Sequence, residues 1–370
     1  MKKLTAAILF LLLSVSAYAE VKIGALLALT GPISNIGKPS EEIVTGAIEE
    51  ANKSNLLGEK IVLVSYDTQG MPDKAMTFVK KLIKMDKVDV IVGPNSTGGA
   101  MAIMGDITSA KMPTMGLVGG TPPVEPVRPF MFKSPQKTST AVEKAFAYLK
   151  KKGVTRIGVV IDATGFGQDG LDQINKYSAG MTITTVEKFN MTDTDMTTQM
   201  SKVLSTKPQA VVIWTVGKAG SVAAKSLRAL DKNMLMIQSH GIADHSYLKL
   251  AGSSAEGSVM PALKILVADS IPSNDPQKKT IDSFLKRYGK LIDATSVHAI
   301  YAYDGINLML NAVKRSKVEN ISIVQALETT RNFAGVTGIY NITKEDHCGL
   351  DTSSLVMVRV KNGKFILEDL

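Results

Sequence analysis

The sequence predicts an α/β fold with two lobes, each built around a mostly parallel β-sheet. Its 370 residues are enough for two domains of about 150 residues each. Short runs rich in β-branched apolar residues alternate with amphipathic helical stretches up to residue 135, and this alternation then restarts. Such runs are typical of strands buried on both faces, as in parallel sheets covered by helices. We therefore expect two doubly wound lobes.

In the first lobe, four apolar runs predict strands and two prolines predict helix starts. The strands are expected at residues 21–28, 61–67, 88–93 and 113–118. Proline is favoured in the first turn of a helix, where its missing amide hydrogen leaves nothing unpaired. We therefore expect helices to begin at Pro39 and Pro72.

The second half of the chain repeats this pattern and then changes character. Strands are expected at residues 156–162, 181–186, 210–215 and 234–238, with helices between them. Three helical stretches without intervening strands follow, and two strands at residues 355–360 and 364–367 close the chain. Helices without strands cover a sheet rather than build one, so we expect residues 262–338 to return to the first lobe.

The beginning of the chain predicts an exported protein. Lys2 and Lys3 precede an apolar stretch at residues 4–15, and Ala17 and Ala19 provide a small-residue cleavage site. The stretch is shorter than the roughly 20 apolar residues of a membrane-spanning helix. We interpret residues 1–19 as a signal peptide and expect a periplasmic protein. With Cys348 as its one cysteine, the chain can form no internal disulfide, so the fold must depend on its cores.

Charge and composition argue against several function classes. The formal net charge is +9, but the basic residues are scattered and only 5% of the residues are aromatic. A nucleic-acid-binding protein needs a basic stripe and often aromatic side chains that stack on bases. The cluster Asp346, His347 and Cys348 lacks the further Cys or His ligands of a metal site. We expect no nucleic-acid partner, no metal and no cofactor.

Polar residues that follow two neighbouring strands predict a small ligand site. The first group, between the third expected strand and a helix, is Asn95, Ser96, Thr97 and Gly98. The first amides of that helix have no intrahelical acceptor and favour an anion, although Ser96 or Thr97 could serve only as a helix cap. The second group, after the next strand, is Gly119, Gly120 and Thr121. Both groups fall at the carboxyl edge of the sheet, where open α/β sheets bind ligands.

The predicted crevice lacks the residues that catalysis would need. No serine in an elbow motif, no metal-spaced triad and no pair of carboxylates accompanies it in the sequence. We therefore expect a protein that binds a ligand without transforming it, and not an enzyme.

A glycine-rich loop in the second lobe supports a competing function. Gly165, Gly167 and Gly170 form a GxGxxG pattern between a strand and a helix, and Glu187 follows about 20 residues later, as in NAD-binding proteins. However, Ala163 and Thr164 lengthen the turn ahead of the first glycine. An isolated match is also weak, and a glycine-rich loop facing a cleft is the simpler interpretation. An NAD-dependent oxidoreductase remains the alternative.

Several motifs together resemble one family. They are Leu29-Thr30-Gly31-Pro32, Asn35-Ile36-Gly37, Tyr66-Asp67, Val92-Gly93-Pro94, Gly165-Phe166-Gly167, the stretch from Ala251 to Gly257, and Tyr303-Asp304. Over nearly the whole mature chain, the sequence resembles solute-binding proteins of the branched-chain amino-acid (Leu/Ile/Val) ABC-transporter family. This implies a type I periplasmic-binding fold, in which two α/β lobes joined by a three-segment hinge close on a ligand. It also implies delivery of that ligand to a membrane permease driven by ATPase subunits.

The resemblance implies a division of the chain and roles for individual residues. One lobe would comprise residues 20–135 and 262–338 and the other residues 136–261 and 339–370, in a protein that we expect to be a monomer. The ligand's carboxylate would be held by the hydroxyl and amide groups at Thr97 and by Thr121. Its ammonium would contact the carbonyl of Gly119, and Phe166 would close over it.

The second lobe would also contribute a strand end and a histidine. The strand end is Trp214-Thr215, although Trp214 could instead be core packing because its strand is otherwise apolar. Ile36 and His240 depart from the family pattern: Ile36 stands where amino-acid binders often carry a tyrosine, and His240 replaces the acid that pairs with the ammonium. Besides a purely structural role for His240, two ligand classes stay open. They are a branched-chain or related amino acid, and an aromatic or aliphatic carboxylic acid without an α-amino group.

Overall fold

Two β-sheets flanked by helices organise the molecule. The computed structural model describes residues 20–294 and 296–368, so the expected signal peptide at residues 1–19 lies outside the described residues. The first sheet is parallel throughout, with the order β2-β1-β3-β4-β5. Its strands are β1 (Glu20–Leu27), β2 (Lys60–Asp67), β3 (Val90–Val92), β4 (Thr114–Gly116) and β5 (Met131–Lys133).

The second sheet has the order β14-β13-β10-β9-β8-β6-β7. Its parallel strands are β6 (Arg156–Asp162), β7 (Thr182–Phe189), β8 (Ala210–Trp214), β9 (Leu235–Gln238) and β10 (Val259–Leu263). A short antiparallel pair, β11 (Phe333–Ala334) and β12 (Ile339–Tyr340), stands apart from both sheets. Two antiparallel strands, β13 (Leu355–Lys361) and β14 (Lys364–Leu367), extend the second sheet beyond β10.

The α-helices alternate with these strands in the order that the hydrophobic pattern predicts. Before β6 they are α1 (Ser34–Lys53), α2 (Pro72–Lys81), α3 (Thr97–Ala102), α4 (Met104–Ser109) and α5 (Thr138–Lys151). Between β6 and β10 they are α6 (Gly165–Tyr177), α7 (Thr197–Ser205), α8 (Lys218–Leu230) and α9 (His245–Ala251). The last three are α10 (Lys278–Ala294), α11 (Ile300–Glu319) and α12 (Ile323–Glu328).

Both sheets share one connection order, which determines where a ligand can bind. The order β2-β1-β3-β4-β5 recurs in the second sheet as β7-β6-β8-β9-β10. In each half, the second strand lies on one side of the first strand, and the third, fourth and fifth strands lie on its other side. A crevice opens at this change of side, outside the carboxyl ends of the strands. The loops after β1 and β3 therefore face the loops after β6 and β8.

Alternating burial explains how the second sheet holds helices on both faces. Along β8, Ala210, Val212 and Trp214 pack with residues of α5 and α6, whereas Val211 and Ile213 pack with residues of α7, α8 and α9. The strand is buried on both sides because neighbouring side chains point to opposite faces. The predicted fold class, α/β with mostly parallel sheets in two lobes, is confirmed.

Two local expectations are wrong. Helix α1 begins at Ser34, and Pro39 lies inside it rather than in its first turn. The turn of α1 that precedes Pro39 is stabilised by apolar contacts of Ile33 and Ile36 with Ala28. The short strand β5 was not expected; three buried residues give too little periodicity to distinguish a strand from a loop.

The contacts of residues 340–350 bear on the expected lobe boundary at residue 339. Tyr340, Ile342, Cys348 and Leu350 pack in the core of the first lobe, and the amide of Lys133 in β5 donates to the carbonyl of His347 at 3.1 Å. We therefore propose that the chain enters the second lobe after Leu350 rather than at Ile339. Within the described residues, no helix combines the length and the apolar character needed to cross a membrane.

Candidate ligand-binding site

A cavity of about 460 Å³ lies between the two lobes at the carboxyl edges of their sheets. Its volume falls in the roughly 300–1,000 Å³ range of small-molecule sites. The lobes touch at its rim: a Cβ atom built on Gly165 would lie 3.5 Å from the amide nitrogen of Gly98. The structure therefore represents a closed arrangement, in which a ligand would be enclosed by both lobes.

A larger groove of about 930 Å³ lies elsewhere, on the outer side of the second lobe. It is lined by Asn233 before β9, by Leu235 at the start of β9 and by Gly257 before β10, so it lies at the opposite edge of that sheet. Ligands of open α/β sheets bind at the carboxyl edge, and we therefore assign the ligand site to the inter-lobe cavity.

Most of the predicted site residues meet in this cavity. The wall includes Ile36, Asn95, Ser96, Thr97, Gly98, Gly119, Phe166 and His240. The predicted residues outside the wall are Gly120, Thr121, Trp214 and Thr215.

The beginning of α3 presents free amides to the cavity. The hydroxyl of Ser96 accepts the Gly99 amide at 3.2 Å, so Ser96 is the helix cap. The carbonyl of Ser96 accepts the amide of Ala100 at 2.9 Å. Among the described residues no acceptor takes the amides of Thr97 and Gly98, and they are the first-turn donors left for a ligand.

Thr121 makes structural hydrogen bonds instead of lining the cavity. It is buried, its hydroxyl accepts the amide of Ser139 at 3.1 Å, and its own amide donates to Asp169 of α6 at 2.8 Å. Gly120 lies against Thr97, because a Cβ atom there would approach the Thr97 hydroxyl to 2.5 Å. These residues shape the crevice from behind.

The carbonyl of Gly119 is already occupied. It accepts the Lys133 ammonium at 2.9 Å and the Thr138 hydroxyl at 3.2 Å, which uses both of its lone pairs. The ammonium contact expected at Gly119 is therefore not supported by this geometry. Sequence could not show it, because Lys133 reaches back from β5.

Lys133 places a buried positive charge behind the cavity wall. Its ammonium also donates to the carbonyls of Gly120 at 2.7 Å and Gln136 at 3.0 Å, so its three hydrogens are all used. Burial lowers the pKa of Lys133 to about 8, and the side chain remains mainly protonated at pH 7. Its field favours a negative ligand group over a positive one.

Two aromatic rings, those of Phe166 and His240, line the cavity on the second-lobe side, and the ring of Trp214 packs behind them. The ring of Phe166 lies 6.2 Å from Trp214 and 5.6 Å from His240, measured between centroids. Trp214 is fully buried behind the other two, so the core-packing interpretation fits it. Thr215 is also fully buried, and its hydroxyl contacts the sulfur of Met191 at 3.4 Å.

His240 is a neutral side chain in the closed cavity. Burial, with smaller contributions from the nearby His298 and Lys133, lowers the pKa of His240 to about 3. Its Nδ1 atom is buried and has no hydrogen-bond partner among the described residues. A buried polar atom without a partner is costly, so this nitrogen is available to a ligand.

Asn95 offers a second unpaired polar atom. Its Oδ1 accepts the amide of Ala28 at 3.0 Å and thereby fixes the side chain at the end of β1. Its Nδ2 atom is buried without a partner in the described part of the chain. The amide nitrogen of this wall residue is therefore a candidate donor to the ligand.

Sequence reasoning missed several residues of the wall. Gln69 and Gly70 follow β2, Thr164 follows β6 and Val216 follows β8. The carboxyl-edge argument that selected Thr97 applies to these positions too and could have found them. His298 and Tyr301, near the start of α11, also line the cavity. They do not follow a strand, so the sequence contained no comparable signal.

The cavity wall carries no acidic side chain. Of the described residues that line it, none is Asp, Glu, Lys or Arg. Most of the wall is apolar, with Ile33, Ile36, Leu117, Phe166 and Val216 contributing side chains. The arrangement suits an anionic group at the α3 amides and an uncharged, apolar remainder.

The glycines of the competing NAD motif have packing functions. A Cβ atom on Gly167 would lie 2.0 Å from the carbonyl oxygen of Asp162, and one on Gly170 would lie 2.1 Å from Trp214. Both glycines let α6 approach the end of β6 and the indole of β8 closely. Glu187 pairs with Lys202 at 3.3 Å. The motif is thus explained without a dinucleotide.

Known proteins that are similar in sequence carry Leu/Ile/Val-binding names. A "Leu/Ile/Val-binding protein homolog 3" from Brucella melitensis is 22% identical over 361 residues, which cover 95% of this chain and 94% of that protein. The "Leu/Ile/Val-binding protein BraC3" from Rhizobium johnstonii is 24% identical over 249 residues, with 66% and 67% covered.

Solved structures share the fold. An extracellular ligand-binding receptor from Rhodopseudomonas palustris HaA2 superposes with a TM-score of 0.86 at 24% identity, covering 95% of this chain and all of that one. The branched-chain amino acid transporter substrate-binding protein LivJ from Streptococcus pneumoniae, in complex with isoleucine, gives 0.80 at 21% identity, with 94% and 98% covered. The family model described as periplasmic binding protein matches residues 20–364. The chain belongs to the periplasmic binding protein family.

Proposed function

We propose that this protein is the periplasmic receptor of an ABC importer, and that it captures a small carboxylate with an apolar body between its lobes. The observation that carries the proposal is the pair of unpaired amides, Thr97 and Gly98, at the edge of a largely apolar cavity without acidic side chains. Delivery to a membrane permease with ATPase subunits follows from the family's transport role, and export would use the expected signal peptide.

The carboxylate would dock first on the first lobe. The amides of Thr97 and Gly98 and the Thr97 hydroxyl offer three donors, and hydrogen bonds to a charged group contribute about 1.5–3 kcal/mol each. Closure then adds Phe166 and His240 from the second lobe. Micromolar affinity, about −8.2 kcal/mol, is within reach once the cost of association is subtracted.

Branched-chain amino acids are the first candidate ligands. Relatives across nearly the full length carry Leu/Ile/Val-binding names, and the apolar side chains Ile33, Leu117 and Val216 suit an aliphatic ligand. Ile36 supplies an aliphatic wall where a tyrosine is often found in amino-acid binders.

A carboxylic acid without an α-amino group is the second candidate, favoured by one specific feature of the site. An ammonium placed in this cavity would meet a neutral His240, a Gly119 carbonyl already occupied by Lys133, and no carboxylate of the described wall. Burial of an unpaired ammonium is costly. Aliphatic and aromatic monocarboxylates avoid this cost.

A thermal-shift panel followed by calorimetry tests both candidates together. The panel contains L-leucine, L-isoleucine, L-valine, 4-methylpentanoate and benzoate, with leucinamide as the matched control that lacks the carboxylate, and NAD. We expect at least one acid to raise the melting temperature in a saturable way and leucinamide to have no effect. Stabilisation by NAD with no response to any acid would contradict the proposal and favour the oxidoreductase.

A further inference from the structure

A histidine outside the predicted site connects the two lobes beside the cavity. His298 immediately precedes α11, and its segment packs against α1 and α11 of the first lobe. Its side chain is buried and lines the cavity, with its ring centroid 5.7 Å from that of Tyr301. His298 therefore belongs to the first lobe and borders the ligand space.

Both ring nitrogens of His298 reach residues of the second lobe. Nε2 lies 3.1 Å from the carbonyl oxygen of His240, and Nδ1 lies 3.4 Å from Oδ2 of Asp244, the cap of α9. The hydroxyl of Ser296 donates to the same carboxylate. We call the four residues Ser296, His298, His240 and Asp244 the inter-lobe clasp.

The donors and acceptors of the clasp are consistent with a charged link. The carbonyl of His240 can only accept, so Nε2 carries the hydrogen of that contact. Nδ1 faces the Asp244 carboxylate and the Ser296 hydroxyl oxygen at 3.3 Å, and the hydroxyl has already given its hydrogen to Asp244. A hydrogen on Nδ1 gives both oxygens a donor, and Nδ1 then contacts the Asp244 carboxylate directly.

The environment of Asp244 keeps its carboxylate anionic. Burial alone would raise the pKa of Asp244, but the hydrogen bond and charge of His298, with hydrogen bonds from Ser296 and Ser246, outweigh it and lower the pKa to about 2. The second lobe therefore presents a fixed negative charge to the first lobe at this point.

We propose that His298 is a positioning residue that couples ligand binding to lobe closure through the inter-lobe clasp. This inference rests on the proposed receptor function. A ligand packed against the imidazole holds the ring in the orientation from which it reaches the second lobe. The contacts to His240 and Asp244 join different lobes, so they form on closure and slow reopening. The clasp also fixes the loop that carries His240, a wall residue.

The polar contact between Thr121 and Asp169, which also joins the lobes, cannot perform this function. The Thr121 amide donates to Asp169 across the lobes, but neither residue lines the cavity. That contact can stabilise the closed form but has no direct access to the ligand. In the described structure His298 combines a side chain in the cavity wall with inter-lobe bonds from both ring nitrogens.

The test compares three full-length variants by ligand kinetics and solution scattering. His298→Phe keeps a ring of similar size and removes both nitrogens, and Ser296→Ala removes one hydroxyl donor to Asp244. Tyr303→Phe is the matched control, since Tyr303 lies on the adjoining helix α11 and is not among the described residues that line the cavity. The probes are L-leucine and 4-methylpentanoate, whichever the wild-type protein binds.

We expect His298→Phe to release the probe about tenfold faster with little change in association rate, since losses of bound-state contacts appear mainly in dissociation. Its radius of gyration at saturation should also decrease less than that of the wild type. Ser296→Ala should also release the probe faster and compact less than the wild type, but by smaller amounts. If His298→Phe folds poorly, Ser296→Ala still tests the proposal. Tyr303→Phe should release the probe at the wild-type rate and compact fully.

Failure of the proposed role of His298 can be distinguished from failure of the proposed receptor function. If the wild-type protein binds and compacts, and both clasp variants match its dissociation rate and compaction, the role of His298 is overturned while the receptor function stands. If the wild-type protein binds neither probe nor any other acid of the panel, the proposed function is wrong and this inference falls with it.

Discussion

At the scale of single residues, His240 is a polar wall residue that burial keeps neutral, and we propose that it determines the ligand preference. Its pKa of about 3 means that it can exchange a hydrogen bond with a ligand but cannot balance an ammonium. The Gly119 carbonyl beside it is saturated by Lys133 and Thr138. Three side chains, those of His240, Lys133 and Thr138, therefore leave a ligand ammonium without a partner at this point. Of the three, only His240 was selected from the sequence.

Replacing His240 with an acid should change the ligand preference. We expect His240→Glu to raise the affinity for L-leucine relative to 4-methylpentanoate by at least about tenfold, because a carboxylate would pair with the ammonium. Calorimetric titration of both ligands gives the ratio of dissociation constants. His240→Gln, which adds no charge, is the control and should leave the ratio near that of the wild type. An unchanged ratio in His240→Glu would refute the assignment.

The lobes should be able to close because Gly119 has no side chain that would collide with the second lobe. A Cβ atom there would lie 2.9 Å from Nε2 of His240 and 3.0 Å from a ring carbon of Phe166, both on the other lobe. Overpacking of this kind costs about 1–3 kcal/mol, and here the cost falls on the closed form. Gly119→Ala should therefore weaken ligand binding about tenfold or more in calorimetry without lowering the ligand-free melting temperature.

The control for that substitution is Gly105→Ala in α4, where an added methyl group meets nothing within 4 Å. This control should bind like the wild type. Equal affinities for Gly119→Ala and Gly105→Ala would show that closure does not bring His240 and Phe166 against Gly119.

Residues at strand ends could be predicted from the sequence, and residues that act through long-range contacts could not. Thr97 begins a helix after a strand, so the carboxyl-edge rule places it in the crevice, whereas Phe166 and His240 were expected there because of the family resemblance. Thr121 satisfies the same rule, yet its amide and hydroxyl bond to Asp169 and Ser139. Such partners become visible only when α5 and α6 are packed in place.

At the scale of elements, α6 is the main contact between the lobes. It begins at Gly165, whose neighbour across the cleft is Gly98 of α3, and it carries Phe166 into the cavity. Four residues after Gly165, Asp169 accepts the Thr121 amide of the first lobe. The glycines that resembled an NAD motif allow this approach, which explains why a short pattern suggested the wrong chemistry.

The charge on Asp169 should make stability depend on pH. Burial raises the pKa of Asp169, although the hydrogen bond from the Thr121 amide and the charge of Lys133 partly oppose the rise. A raised pKa means that the folded protein binds the proton more tightly than the unfolded chain does. This carboxylate therefore costs stability above its folded pKa; the cost shrinks as the pH falls below that value and is gone below the pKa of the unfolded chain.

Asp169→Asn keeps an oxygen acceptor for Thr121 and removes the buried charge. We expect its melting temperature to exceed that of the wild type by a margin that grows as the pH increases from 4 to 7. Asp172→Asn, on the exposed face of the same helix, controls for the loss of one charge. A margin that is constant with pH, or that shrinks as the pH rises, would contradict the account of Asp169.

The elements themselves were largely predictable because their signals are local. The strands of both sheets lie close to the expected positions, since each is a short apolar run between helices. Helix α1 and strand β5 departed from expectation because contacts from elsewhere, namely Ala28 with Ile36 and β4 with β5, decide their limits.

At the scale of the whole molecule, the carboxyl edges of two similar sheets lie on either side of one cavity. The first lobe supplies unpaired amides at the start of α3, and the second supplies the ring of Phe166 and the neutral His240. Neither lobe encloses the cavity alone. We therefore expect affinity and selectivity to depend on closure, because the second-lobe contacts would be made only in the closed form.

Solution X-ray scattering with a matched pair of ligands tests the central claim most directly. The claim is that a carboxylate at the amides of Thr97 and Gly98 is required to close the lobes. With the acid that the panel identifies, the radius of gyration should decrease to a saturable limit, and the corresponding primary amide at the same concentration should leave it unchanged. Equal compaction by acid and amide, or no compaction by a bound acid, would contradict the account.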